Sequence, residues 1–130
     1  MRNRRKKLIL VVEDDIAVSE VLQLMLADEY QVVTAKNGRE GVMLYKTMKP
    51  DLVLMDIAMP EMDGVEATKE ILKHDPNAKI LAITAYAKSR GKEMLEAGAL
   101  DVIEKPFTKK KLLETIEKYL NKHGRSQENS

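Results

Sequence analysis

Polar side chains that could do chemistry stand where short, strand-like runs of the sequence end. They are two adjacent acids, a third acid, a hydroxyl and an amine: Glu13 and Asp14, Asp56, Thr84, and Lys105. In an open parallel α/β sheet the carboxyl ends of the strands meet at one edge, and ligands bind there. If the runs are parallel strands, these side chains therefore share one site.

The charges in this group restrict its chemistry. Glu13, Asp14 and Asp56 would bring three carboxylates together, and carboxylates at short range either have raised pKa values or require a cation. Lys105 supplies only one positive charge. Mg²⁺, or Mn²⁺ in its place, is the natural complement because it binds carboxylates, water and phosphate oxygens. The sequence thus predicts a divalent metal site suited to phosphoryl chemistry.

A carboxylate is the nucleophile that this site offers. No serine, cysteine or histidine directly follows any of these runs. Aspartate can accept a phosphoryl group to give an acyl phosphate. A metal ion would neutralise charge on the transferring group, while Thr84 and Lys105 could hold its oxygens.

The composition argues against several other kinds of site. The absence of cysteine removes disulfides, thiol catalysis and cysteine zinc ligands, and it fits a reducing cytoplasm. The two histidines lie far apart in the sequence, and a net charge of +1 gives no case for direct binding of nucleic acid. The apolar run 8–12 is too short for a signal peptide or a membrane span. We therefore expect a cytoplasmic protein without a membrane span.

Short runs alternate with longer segments that have helical periodicity. We predict strands at 8–12, 31–35, 52–55, 80–84 and 100–104, and helices at 16–26, 39–48, 65–74, 88–97 and 109–121. Continuous apolar runs are typical of parallel strands buried on both faces, whereas the mixed runs 31–35 and 100–104 are typical of edge strands. Asp15 is a predicted N-cap. The alternation predicts a three-layer, doubly wound α/β fold in one domain at 7–122, after a basic arm at 1–6 and before a polar tail at 123–130.

Four stretches together resemble the receiver domain of two-component response regulators. They are LILVVEDD at 8–15, DLVLMDIAMPEMDG at 51–64, ILAITA at 80–85 and EAGALDVIEKPF at 96–107. Each is a weak signal alone, but all four occur in order and span most of the chain. The resemblance implies a flavodoxin-like, five-stranded parallel sheet in the order 2-1-3-4-5.

The resemblance also implies a role for each site residue. Asp56 matches the phosphorylated aspartate, and Thr84 and Lys105 match the hydroxyl and the amine that contact the phosphoryl group. The implied metal ligands are Glu13 through water, Asp14, Asp56 and the backbone carbonyl of Ala58. The Lys105–Pro106 peptide bond matches one that is often cis in the family.

Two positions depart from the family pattern. An aromatic switch residue often stands three places before the lysine, where this chain has Val102, which cannot provide readout by an aromatic rotamer. The positions two after Asp56 and two after Thr84 tune dephosphorylation in the family, and here they are Ala58 and Tyr86. Neither is a strong base for water, so we predict a long-lived phosphoryl group that Tyr86 partly shields.

The implied function is that of a stand-alone response regulator rather than an enzyme, with at most slow autodephosphorylation. A histidine kinase or a phosphotransfer protein would donate to Asp56, and phosphorylation would act on an unidentified partner in trans because no long segment follows residue 122. A phosphorelay intermediate is one alternative. A non-phosphorylated pseudo-receiver is another, although the intact acids argue against it.

Two further classes are less compatible with the residues. A phosphatase of the haloacid dehalogenase kind would need a second acid two residues after the nucleophile, where Ala58 stands. A flavin-binding, flavodoxin-like protein would need a phosphate loop rich in glycine and hydroxyls after the first strand, where the chain reads EDDIAV.

Overall fold

The computed structural model describes residues 6–85 and 87–129, with residues 122–129 described as backbone alone. Its strands are β1 (Leu8–Val12), β2 (Gln31–Ala35), β3 (Leu52–Met55), β4 (Ile80–Thr84) and β5 (Asp101–Glu104). Its helices are α1 (Ile16–Leu26), α2 (Gly38–Met48), α3 (Gly64–His74), α4 (Ala87–Ala97) and α5 (Lys109–Asn129). All the strand pairs are parallel, and the sheet order is β2-β1-β3-β4-β5, which confirms the predicted flavodoxin-like fold and its two edge strands.

Alternating strand residues feed two separate cores, one on each face of the sheet. In β1, Leu10 and Val12 pack into the cluster covered by α2, α3 and α4, while Ile9 and Val11 pack into the cluster covered by α1 and α5. The whole of β3 and β4 is buried. Burial on both faces explains why these strands are continuous apolar runs in the sequence.

Side-chain caps start the first three helices. Asp15 accepts hydrogen bonds from the N–H groups of Ala17 and Val18, which confirms it as the N-cap of α1. Asn37 and Asp63 cap α2 and α3 by accepting from the N–H three residues on. Since each cap directly precedes a glycine, α2 and α3 begin one residue earlier than the apolar periodicity suggests.

Three further boundaries differ from the predictions. Strand β5 begins at Asp101 rather than at 100, α4 begins at 87 rather than at 88, and α5 ends at Asn129 rather than at 121. Residues 121–129 contain no proline, and their lysine, arginine, glutamine and glutamate residues favour helix, so the single Gly124 does not end it. Lys6 donates to the carbonyl of Ala27 at 3.1 Å, while residues 1–5 of the predicted basic arm lie outside the described residues. The limits of 7–122 for the domain remain a prediction.

Candidate functional site

Backbone hydrogen bonds continue the sheet one residue beyond its strands and so place the site residues. Three N–H groups at the carboxyl edge donate to a neighbouring strand: Glu13 to Ala35 at 3.0 Å, Asp56 to Val12 at 3.0 Å and Lys105 to Thr84 at 2.9 Å. The rigid strands therefore deliver an acid from β1, an acid from β3 and an amine from β5 to the same edge.

The three predicted acids form a compact cluster. One carboxylate oxygen from each of Glu13, Asp14 and Asp56 lies within 4.8 Å of the others. Glu13 and Asp56 are buried, with 3% and 5% of their surface exposed, whereas Asp14 is exposed. The cluster thus opens to solvent on the side of Asp14, which leaves a path for an ion.

Lys105 lies closer to Glu13 than to Asp56. Its Nζ donates to Glu13 Oε1 at 2.9 Å and lies 3.7 Å from Asp56 Oδ1. The same Asp56 oxygen accepts the N–H of Ile57 at 2.9 Å. Glu13 Oε2 accepts the N–H of Asp15 at 3.2 Å. The ammonium group of Lys105 is therefore shared between two buried carboxylates.

The electrostatics of the cluster favour a bound cation. Burial first, and then the charge of Glu13, raise the pKa of Asp56 to about 7, against the opposite effects of Lys105 and of the Ile57 N–H. A raised pKa means that the surroundings of Asp56 in the folded protein do not fully balance the negative charge of its ionised form. The available donors are carboxylate oxygens, which are the ligands that Mg²⁺ and Mn²⁺ prefer. The residues present therefore fit a divalent metal ion.

The other predicted residues lie on the strands that end at this edge or in the loops that follow them, and one lies outside the described residues. Thr84 is fully buried at the end of β4, and Ala58 is exposed in the loop after β3. The Lys105–Pro106 bond is cis, as the resemblance implied. Val102 is half-buried on β5, against Gly91 of α4. Tyr86 lies outside the described residues, so its predicted shielding role stays a prediction.

The structure adds contacts around the loop between β3 and α3 that the sequence did not suggest. Gly64 lies so close to the carbonyl of Asp56 that a Cβ would overlap it, and its N–H donates to the carbonyl of Ile57 at 2.8 Å. Arg90 of α4 lies 3.3 Å from Asp63 at the end of the loop. Asp63 preceding Gly64 signals a helix cap, but nothing local in the sequence signals its partner on α4.

The fold and the site define a class of protein: a doubly wound α/β domain that presents a buried aspartate, two further acids and a lysine at the carboxyl edge of its sheet. The sequence profile of the response regulator receiver domain matches residues 9–117. The chain belongs to this family. Receiver domains are phosphoryl acceptors and switches, so membership implies a phosphorylation-dependent switch.

Particular relatives are similar over most of their length. The chemotaxis protein CheY of Thermotoga maritima is 44% identical over 119 residues, which are 86% of this chain and 96% of the relative. A CheY-like receiver domain protein from Methanospirillum hungatei JF-1 superposes with a TM-score of 0.87 at 32% identity, covering 93% of this chain and 98% of the other. The receiver domain of a sensor histidine kinase from Pseudomonas aeruginosa PAO1, solved with magnesium in its active-site cleft, has a TM-score of 0.85 at 30% identity, covering 89% and 98%.

Proposed function

We propose that the chain is a CheY-like response regulator that accepts a phosphoryl group at Asp56 in a metal-dependent reaction. The observation that carries the proposal is the cluster of Glu13, Asp14 and Asp56, whose carboxylate oxygens lie within 4.8 Å of one another, with Lys105 bridging two of them. The donor is a phosphohistidine on a histidine kinase or on a phosphotransfer protein. The proposed place of action is the cytoplasm. In the described part of the chain, no helix has the length and hydropathy needed to cross a bilayer.

The transfer exchanges one bond to phosphorus for another. A carboxylate oxygen of Asp56 bonds to phosphorus as the P–N bond of phosphohistidine breaks, and the electron pair of that bond returns to the imidazole nitrogen. The N–H of Ile57 holds Asp56 Oδ1 at 2.9 Å, which fixes the orientation of the carboxylate during attack. The carboxylate must be ionised to act, so with a pKa of Asp56 raised to about 7 a nearby cation would favour acceptance at neutral pH.

Four groups would hold Mg²⁺ or Mn²⁺ at this edge: Asp14, Asp56, the backbone carbonyl of Ala58, and Glu13 through water. When bound, the ion supplies positive charge to the phosphoryl oxygens. Lys105 is positioned to move from Glu13 toward a phosphoryl group on Asp56, because its Nζ already lies 3.7 Å from Asp56 Oδ1. Thr84, at the end of β4, would supply a hydroxyl to the same group.

Phosphorylation would then bias the equilibrium between two states of the face formed by α4, β5 and α5. Thr84 is joined to this face directly, since its carbonyl accepts the N–H of Lys105 at 2.9 Å and α4 begins three residues after it. With Val102 in place of an aromatic residue, the readout would be a displacement of α4 rather than a ring rotation. A partner protein that prefers one state would receive the signal in trans.

The donor protein would dock beside the site, on α1. A groove of about 340 Å³ between α1 and the loop after β5 is lined by Ala17, Val18, Val21, Met25, Pro106 and Phe107, together with Lys105 of the site itself. Leu24 and Ile16 on the same helix are 76% and 71% exposed. An apolar surface that continues into the phosphoryl site suits a protein donor, and a small phosphodonor would not need it.

Three experiments test these proposals. The protein is incubated with acetyl phosphate and Mg²⁺, and intact mass is measured for the wild type and for Asp56→Asn. We expect one added phosphoryl group in the wild type alone and none after chelation with EDTA. If the wild type stays unmodified, or if Asp56→Asn is modified equally, the proposal that Asp56 is the acceptor is refuted.

The second experiment compares two donors. Val21→Glu is expected to slow transfer from an autophosphorylated histidine kinase but to leave modification by acetyl phosphate unchanged. Equal slowing with both donors would assign the effect to the site rather than to docking. The decay of the acyl phosphate after donor removal gives its lifetime, and loss within a few seconds would contradict the long-lived state predicted from Ala58.

A further inference from the structure

The loop from Asp56 to α3, residues 57–63, has its two ends joined by backbone contacts. The N–H of Gly64 donates to the carbonyl of Ile57 at 2.8 Å, and the same glycine packs directly against the carbonyl of Asp56. The loop includes Ala58, whose carbonyl is a proposed metal ligand. The position of this short loop therefore sets the geometry of one side of the metal site.

Asp63 at the end of the loop uses its two carboxylate oxygens for different tasks. Oδ1 accepts the N–H of Glu66 at 3.0 Å and caps α3. Oδ2 accepts from Arg90 Nη2 of α4 at 3.3 Å. A movement of α4 would thus pull on the residue that anchors the loop.

Arg90 is itself held in one orientation on α4. Its Nε donates to Glu93 Oε1 at 2.7 Å, one turn along the helix, which leaves Nη2 directed toward Asp63. The side chains of Arg90 and Asp63 are only 31% and 32% exposed. Because α4 begins three residues after Thr84, this ion pair joins the segment that follows the switch threonine to the loop that follows the phosphoacceptor.

We propose that Arg90 is a positioning residue that couples the metal and phosphoryl site to α4 through its ion pair with Asp63. The inference rests on the proposed function, because it assumes that Ala58 helps to bind the ion. The pair holds the loop in the arrangement that completes the site, so breaking it weakens ion binding. By linkage, occupancy of the site is in turn transmitted to α4 along the same contact.

The structure supplies well-matched variants for a test. Arg90→Met removes the charge while keeping an unbranched side chain on the helix. Asp63→Asn removes the ion pair but keeps an oxygen that caps α3, since Asn and Asp are equivalent N-caps. Glu93→Gln removes the charge of the other partner but keeps a side-chain oxygen that can accept from Arg90 Nε, so the orientation of Arg90 and its contact with the loop are retained, and this variant is the control.

Mg²⁺ is titrated into each full-length variant while backbone amide NMR signals of Ile57, Gly64 and Gly91 are followed. Arg90→Met and Asp63→Asn are each expected to raise the Mg²⁺ Kd about threefold, a size typical of a partly exposed ion pair, while Glu93→Gln stays within the error of the wild type. The double variant is expected to bind no more weakly than either single one. On addition of beryllofluoride, the signal of Gly91 should shift less in both single variants than in the wild type.

The outcomes separate this inference from the proposed function. A wild type that binds neither Mg²⁺ nor beryllofluoride refutes the proposed function itself. A wild type that binds both, with Arg90→Met and Asp63→Asn unchanged, overturns the coupling alone. Additive losses in the double variant also overturn it, because two groups that act through one ion pair cannot contribute separately. Urea unfolding of each variant, showing that all are folded at the titration conditions, excludes loss of structure as the cause.

Discussion

Replacing Asp56 with Asn is expected to stabilise the metal-free protein at neutral pH. Burial, and then the charge of Glu13, raises the pKa of Asp56 from its ordinary 3.8 to about 7. Because the folded-state pKa lies above the unfolded-state value, the folded protein binds more protons between about pH 4 and about pH 7. Stability contributed by this residue therefore falls as the pH rises through that window and stays low above it.

The size of the effect follows from the same shift and from the neighbours of the carboxylate. One pKa unit corresponds to about 1.4 kcal/mol, so a rise from 3.8 to about 7 sets an upper bound of about 4 kcal/mol. Asn also removes the attraction between Asp56 and Lys105, although Lys105 keeps its 2.9 Å bond to Glu13. We therefore expect Asp56→Asn to gain about 2 kcal/mol over the wild type at pH 8.

Urea unfolding in EDTA at a series of pH values between about 4 and 8 measures this difference directly. The advantage of Asp56→Asn should grow from about pH 4 to about pH 7 and then level off. Asp14→Asn is the matched control, because the exposed Asp14 should change stability by less than about 0.5 kcal/mol. An advantage that is the same at both ends of the range, or a wild type that is the more stable at pH 8, would refute the reasoning.

Four other outcomes are expected, each measured by urea unfolding at constant pH. Mg²⁺ at one hundred times the wild-type Kd should stabilise the wild type by about 2.7 kcal/mol, and the same Mg²⁺ concentration should stabilise Asp56→Asn by less; equal gains would contradict the proposed site. Gly64→Ala should destabilise by about 2 kcal/mol or more, because its Cβ would overlap a backbone carbonyl. Tyr119→Phe should lose about 1 kcal/mol of stability with the 2.8 Å hydrogen bond from its hydroxyl to Asp101; in a separate ultraviolet titration this variant should lack one tyrosine, whose pKa is raised to about 12 in the wild type. Gly91→Ala should instead stabilise α4 by about 0.5–1 kcal/mol, since its Cβ would lie 3.6 Å from Val102, at ordinary contact distance; a loss would contradict this packing.

Most of the sheet could be predicted because burial on two faces leaves a direct mark on sequence. Leu52–Met55 is apolar throughout, and the structure buries every residue of it as the central strand β3. The mixed run at 31–35 is the edge strand β2, which is only partly buried. Once the strands are parallel, the acids that follow them must meet at one edge, so the meeting of Glu13 and Asp56 was predictable without any knowledge of side-chain geometry.

The contacts that could not be predicted depend on the positions of the terminal atoms of side chains, which the positions of the strand ends do not determine. Lys105 could be placed at the site, but its preference for Glu13 over Asp56 depends on less than 1 Å, the difference between 2.9 and 3.7 Å. The pair between Arg90 and Asp63 joins two helices that pack side by side, and a helical period specifies faces rather than partners. The extension of α5 to 129 has a different cause, since helix-favouring polar residues carry no periodic signal that would mark an end.

The position of Lys105 bears both on the raised pKa of the buried Asp56 and on the response of the site to phosphorylation. In the metal-free protein one ammonium group is divided between Glu13 and Asp56, and neither the ion pair nor the N–H of Ile57 suffices to keep the pKa of Asp56 at its ordinary value. A phosphoryl group on Asp56 would carry more negative charge than the carboxylate, and it would attract Lys105 away from Glu13. The Glu13 carboxylate would then be available to a cation, so phosphorylation and metal binding would each favour the other. The Mg²⁺ affinity of a Lys105→Met variant should accordingly respond less to beryllofluoride than that of the wild type, and an unchanged response would show that the lysine is not the link.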